Sequence, residues 1–393
     1  MDFQRLEDAK LKGSTALVRV DFNVPRDDSG KVTDDTRLQS ALPTIRKLQK
    51  AGAKTILLSH FGRPKGEPDQ ENSLEFIVPL LTKALGTGIT FATDINPNIA
   101  KNMNEGDVLL LENTRFHAGE TKGNVALAKD MAAMGDVFIM DAFSAAHRDH
   151  ASSAGIAEFL PAFAGLAMER ELDHISQALD VPKTPVMAIV GGAKVSTKID
   201  LLKNLVNRLD TLVIGGGMAN TFLYAQGYNV GSSLCEKDLK ETALQILSNA
   251  KKQNCEILLP VDLVVAKEFK AHAESRVCDL ESVQADEMIL DAGPDTVNAI
   301  IDVMDASETL IWNGPLGAFE LPPFNTSTVE AAKYAARICK AGKIIAVAGG
   351  GDTVSALNQA GVSDDFTFIS TAGGAFLEWM EGKPLPGVEI LRK

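Results

Sequence analysis

The sequence predicts an α/β protein: two domains, each a doubly wound parallel sheet, facing a cleft and joined by a long helix and hinge. Three observations predict it. Short apolar stretches alternate with helical patterns along the whole chain, as βαβ units require. At 393 residues the chain exceeds what one ordinary core holds. Near the middle, Ala162–Leu179 reads as a long part-amphipathic helix, preceded by Pro161 and followed by Pro182 and Pro185. The expected division is residues 1–165, a connecting helix over 166–181, and a second domain over 182–383.

In the first half, Ala16–Val20 is a strand entering Asp21-Phe22-Asn23, and Arg37 opens the helical pattern Leu38–Lys50. Lys54–Leu58 ends in Ser59-His60-Phe61-Gly62-Arg63-Pro64, and a helix follows around Ser73–Leu85. Asp107–Leu111 leads to Glu112-Asn113-Thr114-Arg115-Phe116-His117; a helix about Asn124–Met134 precedes Asp136–Met140, which ends in Asp141-Ala142-Phe143 and Ala146-His147-Arg148. Loops at the carboxyl ends of parallel strands form the ligand crevice. Arg37, Arg63, Arg115 and Arg148, with His60 and His147, therefore converge on one edge. One such arginine would be an ordinary surface residue. Four in matching positions call for a small ligand with several negative charges, because guanidinium forks onto carboxylate and phosphate oxygens. His117, Asp149, His150 and His174 are assigned to solvated surface.

In the second half, Val186–Val190 enters Gly191-Gly192-Ala193-Lys194-Val195-Ser196-Thr197-Lys198 and a helix through Leu205. Lys194 and Lys198, four apart on a first helical turn, would point the same way and oppose the helix dipole unless an anion sits there. Thr211–Ile214 leads to Gly215-Gly216-Gly217, Glu256–Leu259 to Pro260-Val261-Asp262, and Thr309–Trp312 to Asn313-Gly314-Pro315-Leu316-Gly317 and Phe319-Glu320. Lys343–Thr353 runs from a buried strand into Gly349-Gly350-Gly351-Asp352-Thr353, and Phe366–Ile369 ends in Ser370-Thr371-Ala372-Gly373-Gly374. Glycines at a helix N-terminus let a phosphate lie on backbone N–H groups. Asp352 beside them suggests Mg²⁺ bridging to that phosphate. Glu320 could hold ribose hydroxyls or be plain surface.

Composition narrows the function. A net charge of −13 argues against nucleic acid and anionic membrane as partners. Cys235, Cys255, Cys278 and Cys339 lie far apart with no C-x-x-C, as reduced thiols in a cytoplasmic protein would. MDFQRLEDAK has no signal core, and no apolar run is long enough to span a bilayer. There is no G-x-x-x-x-G-K-[ST], no G-x-G-x-x-G after the first strand, no H-E-x-x-H and no G-x-S-x-G. An arginine-rich half and a glycine-rich half suit phosphoryl transfer from a nucleotide to a small anionic acceptor, where positioning and charge neutralisation dominate. A binding protein closing on an anionic metabolite explains the arginines but not Lys194, Lys198 and Asp352. A nicotinamide-dependent dehydrogenase lacks its fingerprint.

VRVDFNVP (Val18–Pro25), SHFGRP (Ser59–Pro64), LLENTRF (Leu110–Phe116), DAFSAAHR (Asp141–Arg148), GGAKVSTKI (Gly191–Ile199), GGGMANTF (Gly215–Phe222), LPVD (Leu259–Asp262), WNGPLGAFE (Trp312–Glu320) and GGGDT (Gly349–Thr353) stand in order along almost the whole chain. In this the sequence resembles the phosphoglycerate kinase family. The resemblance implies reversible phosphoryl transfer between ATP and 3-phosphoglycerate with Mg²⁺, by a monomer whose two Rossmann-like domains close about a hinge. By position it implies an acceptor site of Asp21, Phe22, Asn23, Arg37, His60, Phe61, Gly62, Arg63, Arg115, His147 and Arg148. It likewise implies nucleotide contacts from Lys194, Lys198, Gly216, Asn313, Glu320, Gly350, Gly351, Asp352 and Thr353, with Asp352 the metal ligand. Arg37, Lys198, Gly351 and Gly373 would serve the transfer itself, and Pro384–Lys393 would return to the N-terminal domain. Three residues depart from the family's pattern: Ala372, where a third glycine is usual, and Phe61 and Ser144, where Leu and Gly are more often expected.

Overall fold

Six apolar stretches of the first half form one parallel sheet: β1 (Thr15–Arg19), β2 (Lys54–Leu58), β3 (Ile89–Ala92), β4 (Val108–Leu111), β5 (Val137–Met140) and β6 (Ala162–Ala164). Their order is β3-β4-β2-β1-β5-β6. β1, β4 and β5 are buried along their whole length, so they read as continuous apolar runs rather than alternating ones. The computed structural model describes residues 2–393. This sheet belongs to a unit formed by Met1–Asp173 and Pro384–Lys393, and His174–Lys383 form a second unit.

The helix Thr36–Lys50 covers the first sheet with Leu38, Ala41, Leu42, Ile45 and Leu48, all buried at helical spacing. The final residues are tied into the first unit by backbone bonds. Gly387 N–H donates to Ala146 O and Gln4 N–H to Leu391 O, both at 2.8 Å, and Phe3 bridges Arg392.

The second unit carries β7 (Val186–Val190), β8 (Thr211–Ile214), β9 (Glu256–Leu258), β10 (Asp262–Ala266), β11 (Ser275–Asp279), β12 (Met288–Ala292), β13 (Thr309–Asn313), β14 (Ile345–Gly349) and β15 (Phe368–Ser370). Six of these form a second parallel sheet in the order β15-β14-β13-β7-β8-β9. β7 pairs with β8 on one side and β13 on the other, so the winding reverses between β7 and β13. That reversal is where an open α/β sheet holds its ligand. β11, β10 and β12 form a separate antiparallel sheet. The sequence reading did not foresee it, because strands of this length share their apolar pattern with loops and short helices.

Other differences have local causes. Ala162–Ala164 is a strand, not the start of the connecting helix, which runs Leu166–Leu179. Its first turn is capped from a distance: Asp141 Oδ1 accepts from Ala167 N–H (2.9 Å), and Thr44 Oγ1 from Leu166 N–H (2.9 Å). Caps supplied from far along the chain leave no local signature. β3 and the short helix Pro97–Lys101 also went unpredicted. Among the described residues no helix is long and apolar enough to cross a membrane.

Candidate functional site

Because the first sheet is parallel, the segments after β1, β2, β4 and β5 share one edge. There the side chains hold one another in a hydrogen-bonded frame. Arg37 Nη1 donates to Asp21 Oδ2 (2.9 Å) and to Asn23 O (3.1 Å), and Ser144 Oγ donates to the same Asp21 oxygen (2.5 Å). Burial raises the Asp21 carboxyl, and the Arg37 charge with hydrogen bonds from Ser144 and the Asn23 N–H acts against it. Asn23 Oδ1 accepts from Gly62 N–H (3.0 Å), and Arg115 Nη1 donates to Gly62 O (2.6 Å). Arg115 Nε is buried without a hydrogen-bond partner among the described residues, an unspent donor at an edge already rich in positive charge. Arg63 and Arg148 are exposed and have no ion pair among the described residues.

Not every predicted residue offers its side chain. Phe22 is fully buried, and Phe61 packs edge-on to Phe76 at 4.9 Å, with Arg26 over both rings. Only their backbones can face a ligand. His147 is half-buried beside Arg148.

Two features escaped the sequence. Arg19 lies within β1 and is 1 % exposed, donating from Nε to Ser152 Oγ (3.0 Å) and meeting His60 Nδ1 from Nη2 (3.0 Å). Ser152 in turn donates to the fully buried Glu120, so the buried guanidinium has its countercharge. A charge inside ALVRV, a strand otherwise buried on both faces, was the available signal. Asn113 is the second: its amide accepts from Phe61 N–H (3.2 Å) and Arg115 N–H (3.0 Å) and donates to Phe61 O and Asn72 O (both 2.8 Å). It ties the loop after β4 to the loop after β2. His150 corrects an expectation: it is buried, with Nδ1 3.9 Å from Glu120 Oε1, not in a solvated turn. His174 likewise stacks on Phe368 with ring centres 4.6 Å apart.

In the second unit the loops after β7, β8, β13 and β14 meet through backbone. Gly191 N–H donates to Asn313 O (3.0 Å), Gly216 N–H to Leu316 O (2.8 Å), and Met218 N–H to Gly192 O (2.9 Å). A Cβ on Gly191 would lie 1.8 Å from Pro315 O, and one on Gly314 2.3 Å from Gly191 O. Only glycine allows the loops to close this tightly. Lys194 and Lys198 do not share a helical face. The segment is a loop with a 3-10 turn at Val195–Thr197, and the helix begins at Ile199. Lys194 is exposed, whereas Lys198 folds inward, donating from Nζ to Gly191 O and Asn313 Oδ1 (both 2.6 Å). Burial pushes the Lys198 ammonium down to about 8, opposed by the Asp352 charge.

Asn313 joins this to the next loop, donating from Nδ2 to Gly349 O (2.8 Å), while Thr353 Oγ1 accepts from Gly314 N–H (2.7 Å). Gly350 has φ +99°, and the helix Gly351–Ala360 starts with nothing within 4 Å of the Gly351 position. Gly373, with φ +49°, is similarly open. Ala372 is buried and its N–H donates to Ser370 Oγ (3.2 Å), so that donor is committed within the loop. Beside these loops lies a cavity of about 480 Å³, walled by residues such as Gly216, Leu234, Leu263, Met288, Leu290 and Leu316, with Glu320 and Asp352 on its lining. A mostly apolar slot with carboxylates at its margin suits a flat ring bearing a polar tail.

A sequence model described as phosphoglycerate kinase matches residues 6–383. The chain belongs to the phosphoglycerate kinase family. It is 60% identical over 395 residues to phosphoglycerate kinase of Caulobacter vibrioides, with 100% of each chain covered. It is 59% identical over 391 residues to that of Maricaulis maris, covering 98% of this chain and 97% of the relative. Among solved structures it resembles phosphoglycerate kinase from Coxiella burnetii, at 41% identity and TM-score 0.93, over 99% of this chain and 98% of that one. The enzyme from Pyrococcus horikoshii OT3 shares 29% identity at TM-score 0.76, with the same coverage. The family implies a nucleotide co-substrate. No cluster of three or more His, Cys, Asp or Glu among the described residues forms a protein cage for a metal. Asp352, exposed on a helix first turn beside bare glycine N–H groups, fits a Mg²⁺ held mainly by phosphate oxygens and water.

Proposed function

We propose that this chain transfers a phosphoryl group reversibly between 1,3-bisphosphoglycerate and ADP, giving 3-phosphoglycerate and ATP, by direct in-line transfer. The observation that carries the reading is Lys198. A half-buried ammonium is held over converging glycine loops with only neutral oxygens as partners, so its charge is left for a ligand. The nucleotide base lies in the apolar cavity, its ribose by Glu320, and its phosphates on the Gly350–Thr353 turn with Gly216, Asn313 and Lys194. The acceptor is held by Arg37, Arg63, Arg115, Arg148, His60, His147, Asp21 and Asn23, with the backbone of Phe22, Phe61 and Gly62. Arg37, Lys198 and the amides of Gly351 and Gly373 stabilise the charge that spreads over the moving group. Asp352 would hold a Mg²⁺ ion, which would supply further charge neutralisation when bound.

No general base is needed, because a carboxylate acceptor is already ionised with a pKa near ~4. Hinge closure about the Leu166–Leu179 helix excludes water and suppresses hydrolysis. The protein works as a cytoplasmic monomer on small molecules alone. The test is a coupled assay with MgATP and 3-phosphoglycerate. Lys198→Ala lowers kcat by about 10²–10³-fold, Asp352→Ala weakens nucleotide binding, and Arg37→Ala lowers kcat more than acceptor affinity. Unchanged turnover in both Lys198→Ala and Asp352→Ala removes the assignment.

A further inference from the structure

We propose that Arg19 fixes His60 as the neutral Nε2–H tautomer, so that this ring presents a hydrogen-bond donor and no charge to an anion at the carboxyl edge of the first sheet. Arg19 is then a positioning residue acting through His60. The argument is one of donors and acceptors. A guanidinium has N–H donors, no acceptor, and does not lose its proton in proteins. Arg19 Nη2 lies 3.0 Å from His60 Nδ1, so Nδ1 supplies the lone pair and the ring proton is on Nε2. Nε2 has no protein partner among the described residues, which leaves its N–H for a ligand.

The guanidinium cannot turn away easily. Nε is bonded to Ser152 Oγ (3.0 Å) and Nη1 donates to Val20 O, while Ser152 is anchored to the buried Glu120 carboxylate. The groups facing His60 come from several elements: Arg19 on β1, Asp21 after it, Arg37 on its helix, and Arg115 after β4. Burial and the Arg19 charge outweigh Asp21 and push the imidazolium down to about 3. A proton on Nδ1 would also expel the Arg19 contact, so charge and geometry agree.

His60 therefore adds direction to anion binding without adding charge, which the arginines supply. It is also not a proton donor or acceptor at working pH. The tautomer stands whatever the reaction; its consequence for acceptor affinity rests on the function proposed above.

The test is long-range ¹H–¹⁵N NMR of the imidazole nitrogens in the full-length ¹⁵N-labelled protein, with His60 assigned by the signal lost in His60→Gln. One protonated and one bare ring nitrogen, the pattern unchanged from about pH 5.5 to about pH 8.5, is the expected result. An imidazolium pattern or an Nδ1–H ring within that range overturns the proposal. Arg19→Lys keeps the charge but not the rigid fork; His60 then populates both tautomers, and KM for 3-phosphoglycerate rises about tenfold with kcat within about twofold. A folded Arg19→Lys with the wild-type His60 pattern also overturns it. A mixed pattern with unchanged KM leaves the tautomer standing and removes its consequence for the acceptor. Should Arg19→Lys not fold, the wild-type pattern decides alone.

Discussion

The two loop-bearing edges, one in each unit, are built from different materials. In the first unit, side chains do the positioning: Asp21 orients Arg37, Asn23 and Arg115 hold Gly62, and Asn113 joins two loops. In the second unit, backbone does it, and the side chain of Lys198 is inserted among carbonyls. The glycines show the contrast. A Cβ on Gly62 meets only the end of the Asn72 side chain, at 1.9 Å, which can swing aside; a Cβ on Gly191 meets the Pro315 carbonyl, at 1.8 Å, which cannot. On the function proposed above, an anion with oxygens on several sides would be met by forks that adjust, and a polyphosphate lying flat on a loop by amides whose placement tolerates no added atom.

The largest expected effect breaks that comparison directly. Gly191→Ala forces apart the loops after β7 and β13, costing at least ~4 kcal/mol in the second unit and abolishing nucleotide binding. Gly62→Ala, at φ +57°, costs about 1–2 kcal/mol and leaves nucleotide affinity unchanged. Thermal unfolding and nucleotide calorimetry of both variants check this. Equal costs at the two sites would mean that the backbone-built loops are no less forgiving than the side-chain frame.

Lys198 gives the next effect, and its sign can be worked out. Its ammonium is pushed down to about 8, so the charged form that the proposed transfer uses is lost as pH rises through that value. Turnover therefore falls on an alkaline limb centred near 8 or, once phosphates raise the pKa, somewhat above it. Stability moves the opposite way. Between about 8 and the ordinary lysine value of 10.5 the unfolded chain binds the proton and the folded chain does not, so this group's penalty shrinks as pH rises. Lys198→Arg, which does not titrate there, should abolish the limb while lowering kcat at every pH. A limb that persists in Lys198→Arg assigns the titration to another group.

Much of this was legible in the chain because strand ends and glycine loops are local. The alternation of apolar runs with helical patterns gave both parallel sheets, and polar residues directly after strands gave the arginine edge. What escaped is non-local. Asp141 and Thr44 cap a helix from more than twenty residues away in sequence, Arg19 finds Ser152 and Glu120 only in the fold, and the antiparallel β10–β12 sheet depends on pairing that no periodicity announces. Lys194 and Lys198 were misplaced for a related reason. Their spacing fits a helix turn, but Lys198 folds inward onto Gly191 O and Asn313 Oδ1, contacts made only in the fold, and the helix begins at Ile199.

The smallest effect concerns Ala372. On the sequence alone its methyl stands where glycine is usual and where backbone amides would approach the phosphoryl group. The structure argues otherwise. The side chain is 5% exposed and buried in the unit, and its N–H is already spent on Ser370 Oγ. The open position is its neighbour Gly373. Ala372→Gly should therefore change kcat by less than about twofold, while the added backbone freedom and the lost methyl burial cost about 1 kcal/mol in thermal unfolding. A several-fold gain in kcat would place the methyl in the path of the moving group, and the backbone-built edge would then be less finished than its glycines imply.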